Sequence, residues 1–94
     1  MSSWEYRRED VDEEEKRRRE AERMVLLMRF LSAEARQRLK NISLVKPVLA
    51  RQIEDLIIKL GLEGKIEHPL SDDELKNILR NVQAESRKRF NIRF

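Results

Sequence analysis

Apolar positions divide this chain into a polar front and a series of short amphipathic stretches. Residues 4–23 read WEYRREDVDEEEKRRREAER, and Val11 is the only aliphatic residue between Tyr6 and Ala21. With no apolar face, packing cannot make this segment helical, but charge spacing can. Asp12–Lys16, Glu13–Arg17, Glu14–Arg18 and Glu15–Arg19 are consecutive i,i+4 pairs with the acid N-terminal, each worth roughly 0.2–0.5 kcal/mol. A solvated, partly frayed helix is expected. The missing heptad seam argues against a coiled-coil arm.

From Met24 the pattern changes. Met24, Leu27, Met28 and Leu31 fall on one helical face, with Val25, Leu26 and Phe30 beside it. This end of the helix is expected to pack while its front projects. Ser32 is the next N-cap candidate, with Glu34 in the first turn. A helix over 33–40 then turns Ala35, Leu39 and Ile42 inward, and residues 41–46 form a connector. Pro47 suits the first turn of a third helix, whose stripe is Leu49, Ile53, Leu56, Ile57 and Leu60, with Gly64 at its C′ position. After a loop over 65–70, Ser71 and Glu74 are spaced as a capping box. Leu75, Ile78, Leu79 and Val82 line the last helix, which is expected to fray near Ser86. From Arg89 the chain alternates polar with Phe90, Ile92 and Phe94, the pattern of an extended tail laid on the bundle.

Beta-branched residues never alternate over a useful length, so the fold class is all-α. The architecture expected is a compact three-helix bundle over 33–40, 47–63 and 72–86, with a partly projecting charged N-terminal helix and an extended basic C-terminal tail. Residues 1–23 form the charged, partly mobile unit and 24–94 the bundle.

Composition narrows the function. No run approaches the ~20 apolar residues of a membrane-spanning helix, and MSSWEYRRED has no signal-peptide core. A cytoplasmic protein without membrane contact is expected. Mean hydropathy is -0.75, and cysteine is absent, which removes disulfides, thiolate metal sites and cysteine nucleophiles. Charged residues make up 41% of the chain. Their opposed pairing fits a thermophile.

The formal net charge is only +3, but it is unevenly spread. Residues 1–23 hold 9 acids and 7 bases, whereas residues 24–94 hold 14 bases and 9 acids. His68, the only histidine, sits in the 65–70 loop with no metal-binding companion. Asp72 and Asp73 read as helix-dipole partners rather than a catalytic pair. The acidic run 12–15 cannot converge on an ion from a helix. With no phosphate loop, zinc motif or nucleophile-base arrangement, no enzyme, metal or cofactor is expected.

The bases are more informative. Arg36, Arg38 and Lys40 lie in the second helix, Lys46 precedes Pro47, and Arg87, Lys88, Arg89 and Arg93 follow the last helix. If the tail folds back these groups form one patch, with Arg51 and Lys59 on the exposed side of the third helix. Such a patch holds phosphates without reading bases. On residue types alone, solvation of helix faces explains the same charges. Aromatics are too scarce to favour stacking on single strands.

The string from Leu31 to Leu39, LSAEARQRL, with Asn41-Ile42 and Leu44-Val45-Lys46-Pro47, resembles the signature of the programmed cell death protein 5 family. Gly64, Ile66, Leu75, Ile78, Leu79 and the ending Phe90-Asn91-Ile92-Arg93 are similar too. The resemblance covers residues 24–94 and implies a triple-helix core with a mobile N-terminal helix. Archaeal members are described as double-stranded DNA-binding proteins, and eukaryotic relatives are linked to apoptosis and the cytosolic chaperonin. The chain stops at Phe94 without the acidic tail of the eukaryotic proteins, which sides with the archaeal branch. The expectation is a monomeric, non-enzymatic double-stranded DNA-binding protein of low sequence specificity. Alternatives are an adaptor for a chaperonin or other protein, and binding to RNA or the ribosome.

Overall fold

The computed structural model describes residues 3–91, with side chains over 11–85. Four helices follow one another: α1 (Ser3–Phe30), α2 (Ala33–Val45), α3 (Pro47–Leu62) and α4 (Asp72–Asn91). Among the described residues the only extended pairing is an isolated bridge between Leu31 and Leu70. There Ser32 N–H donates to the Leu70 carbonyl at 2.9 Å and Leu70 N–H to the Phe30 carbonyl at 2.8 Å. The bridge ties the loop before α4 to the α1–α2 turn.

The boundaries have local causes. Ser32 has extended backbone, and its Oγ accepts from Ala35 N–H at 3.1 Å, capping α2. Ser71 and Glu74 form the expected capping box, with Ser71 N–H donating to Glu74 Oε1 at 3.1 Å and Glu74 N–H to Ser71 Oγ at 3.2 Å. Gly64 closes α3 at φ 76°. Its N–H reaches the Gly61 carbonyl at 3.1 Å while Lys65 N–H reaches that of Leu60 at 2.9 Å, the paired bonds of a Schellman motif.

Two boundaries differ from the sequence reading. Residues 41–45, expected as connector, complete α2 and leave Lys46 alone between α2 and α3. Ile42 packs against the core, Ser43 Oγ donates to the Lys40 carbonyl at 2.6 Å, and Pro47 bars an α-helical Lys46. At the other end, α4 runs past Ser86 to Asn91, so the extended stretch expected from Arg89 is helical at least that far. Arg87, Lys88 and Arg89 are good helix formers and suit the negative end of the helix dipole. Ile92 to Phe94 lie outside the described residues.

The core is the cluster Leu27, Phe30, Leu31, Ala35, Leu39, Ala50, Ile53, Ile57 and Leu75. The apolar face of α1 is rotated from the one expected. Leu27, Phe30 and Leu31 are buried, but Met24, Val25 and Met28 face solvent. Phe30 settles this choice, because its ring lies against the backbone of Gly61 on α3. Arg23 supports the same rotation by donating to Asp55 at 2.7 Å and Glu54 at 2.9 Å on α3.

Before Arg23, residues 11–14 and 16–22 of α1 are exposed. Of the four expected pairs in this ladder, Glu15–Arg19 closes at 3.7 Å. The radius of gyration is 17.3 Å, above the roughly 12 Å of a compact domain of this length. The principal extents are 54 × 39 × 26 Å, an elongation in keeping with helices of 28 residues in α1 and 20 in α4. The helix runs unbroken across Arg23 and Met24.

Candidate functional site

The α2–α3 hairpin carries the longest stretch of the chain without an acid. From Ala35 to Ile53 there is no Asp or Glu, while Arg36, Arg38, Lys40, Lys46 and Arg51 all fall inside it. The signal was present in the sequence, but reading bases helix by helix hides it. It becomes visible once α2 and α3 are known to be joined by a single residue.

The structure sorts the expected residues into free and engaged charges. Lys40, Lys46 and Lys59 are exposed and Arg36 is half-buried. Among the described residues, no carboxylate comes within bridging distance of these four. Arg38 is engaged. Its guanidinium makes a two-pronged contact with the Asp72 carboxylate at the start of α4, one leg at 3.0 Å. Arg51 is shared between Glu20 of α1 at 3.1 Å and Glu54 at 3.9 Å. The helical repeat also divides α2. Arg36 and Lys40 border a groove with Met24 and Leu27 of α1, whereas Arg38 and Lys46 border the opposite groove toward α4. The latter is open, about 720 Å3, with Ile42, Val45, Leu49 and Leu79 among its lining residues.

Arg87, Lys88 and Arg89 sit on the final turns of α4, and their side chains, like all of Arg93, lie outside the described residues. Sequence reading passed over Arg80, which is exposed on α4. It is one turn from Lys76 and two from Arg87, a spacing that places all three on one side of the helix.

His68 lies on the exposed loop with Nε2 3.1 Å from Glu74 Oε1. Among the described residues, no group of three or more His, Cys, Asp or Glu is placed to hold a metal. No described helix is long and apolar enough to cross a membrane.

The fixed carboxylates carry a pH signature. The Arg38 hydrogen bond holds Asp72 below its ordinary value of 3.8, with desolvation opposing and Lys76 assisting. The Ser71 N–H, then His68, holds Glu74 below 4.5. A carboxylate with a depressed folded-state pKa stabilises the fold above its unfolded value and loses that contribution as pH falls through the folded value. The urea midpoint is therefore expected to fall as pH drops from about 5 to about 2, and Asp72→Asn to flatten part of that fall. Superimposable pH profiles for parent and variant would show that the Arg38–Asp72 contact carries no such linkage.

The family model described as a double-stranded DNA-binding domain matches residues 2–94. A DNA-binding protein of Sulfolobus acidocaldarius is 41% identical over 86 residues, covering 92% of this chain and 90% of that one. A DNA-binding protein of Pyrococcus furiosus is 40% identical over 75 residues, 80% of this chain and 67% of its own. Among solved structures, the Leishmania major programmed cell death protein 5 homolog superposes with a TM-score of 0.71 at 31% identity, covering 95% of this chain and 97% of that one.

Proposed function

This chain belongs to the double-stranded DNA-binding domain family, and from that premise we propose that it is a non-enzymatic protein that binds duplex DNA with little sequence preference. The observation that carries the mechanism is the acid-free hairpin from Ala35 to Ile53. Lys40, Lys46 and Arg36 hold phosphates there, joined by Lys59 and by Arg87, Lys88, Arg89 and Arg93 at the far end of the chain. Arg38 and Arg51 contribute less, because each must first give up a carboxylate. Phosphate contact of this kind draws its free energy largely from released counterions and fixes position rather than sequence.

A titration on unrelated duplexes tests the reading. With roughly 4–6 phosphate contacts, affinity is expected to fall on the order of a hundredfold to a thousandfold between 50 and 200 mM salt. Lys40→Glu with Lys46→Glu should weaken every duplex alike and flatten the salt slope by about two. Binding that ignores salt, or none even at low salt, would refute the mechanism.

One observation favours a second reading. Met24, Val25 and Met28 expose apolar surface beside the charged part of α1, which suits a protein-interaction adaptor. A partner retained from nuclease-treated lysate by the full chain, but not by a Met24→Ser, Val25→Ser, Met28→Ser variant, would support it.

A further inference from the structure

We infer that the corner where α2 turns into α3 is an apolar tip that enters the minor groove of duplex DNA and bends it, a reading that rests on the DNA-binding function proposed above. Leu44 and Val45 are each 79% exposed and Val48 is 71% exposed. Only Lys46 and Pro47 separate them, so the three crowd one corner. Exposed apolar residues scattered singly need no explanation, but a contiguous group marks a contact surface. The corner is also held in shape. Lys46 N–H donates to the Ile42 carbonyl at 2.7 Å, the Lys46 carbonyl accepts from Ala50 N–H at 3.0 Å, and Pro47 locks its own φ.

The surrounding charge selects the partner. The corner sits inside the acid-free stretch, with Lys40 one turn before Leu44 and Lys46 between Val45 and Val48, while Arg51, three residues after Val48, is held by Glu20 and Glu54. An apolar point with a lysine toward each of two grooves fits a surface with an apolar floor between two anionic walls. The minor groove has that form: sugars and base edges lie between two rows of phosphates. At roughly 6 Å wide it is too narrow for a helix corner. Entry must therefore widen the groove and unstack base steps, as apolar wedges of Leu, Pro and similar residues do in other minor-groove proteins. Flexible pyrimidine–purine steps should accept the tip at least cost.

The test compares the full chain with Leu44→Ala/Val45→Ala/Val48→Ala and with Lys46→Ala on short duplexes carrying a dye at each end. The three apolar side chains are exposed, so circular dichroism and melting should match the parent. The triple variant is expected to lose roughly tenfold in affinity and most of the dye-to-dye shortening, with the salt slope unchanged. Lys46→Ala should keep the bend and lower the salt slope by about one. If the parent binds while the triple variant binds and bends DNA equally well, the tip is refuted. Unchanged DNA binding with loss of a protein partner from nuclease-treated lysate refutes it too and assigns the corner to that protein. A parent that fails to bind duplex even at low salt overturns the DNA reading itself, a result distinct from either of these.

Discussion

Gly61→Ala is expected to destabilise the fold by about 2–3 kcal/mol, although helix propensity points the other way. Inside a helix alanine is favoured over glycine by about 1 kcal/mol, so an unpacked Gly61 would gain from the change. Here a Cβ at Gly61 would land on the ring of Phe30. That ring is buried in the core and held by the turn into Leu31, whose N–H bonds the Leu27 carbonyl at 2.9 Å. The collision therefore pushes α1 off α3 rather than turning a loose side chain. For a domain of this size the melting midpoint should drop on the order of 10–20 °C. Phe30→Leu in the alanine background relieves the overlap, so the double variant should be less destabilised than the two single costs predict. A Gly61→Ala protein as stable as the parent would show that the α1–α3 contact tolerates separation.

Ile53→Ala is expected to cost about 3–5 kcal/mol. Ile53 is 0% exposed and lies midway along α3, the helix that packs against both α1 and α2. Truncation leaves a cavity within a core cluster drawn from all four helices, so a shift of one helix is not expected to close it. Domains of this size have only about 5–10 kcal/mol in total, and the variant should sit close to unfolding at physiological temperature. Urea titration should show a lower midpoint with the slope retained. Leu44→Ala is the control. It removes a side chain of similar size from solvent and should change the unfolding free energy by less than about 0.5 kcal/mol. Equal losses for the two would mean that the core is not centred on α3.

How far the sequence was legible follows from the range of the forces involved. Ser32, Ser71 with Glu74, Pro47 and Gly64 act through backbone groups within a turn of themselves, and each sits where its spacing places it. Asn41 to Val45 have the pattern of a connector because Asn41, Ser43 and the β-branched Ile42 and Val45 are weak helix formers. Ile42 packing against the core outweighs that preference. The Met24 and Met28 face of α1 and the Leu27 and Phe30 face are both apolar, so periodicity cannot choose between them. Gly61, thirty-one residues beyond Phe30, chooses. In the candidate interface, the basic residues were legible as types, but their availability was not. Arg38 meets Asp72 and Arg51 meets Glu20 across separations of more than thirty residues.

By itself, then, the sequence determined the helices, their caps, the family signature and the excess of positive charge after Met24, all written in local spacing. Tertiary structure alone decided which face of α1 is buried, which cations meet a carboxylate, and that Leu44, Val45 and Val48 stand outside the core at one corner. Those outcomes depend on what each side chain meets from a distant helix, and packing and ion pairing across the chain leave no mark in local pattern.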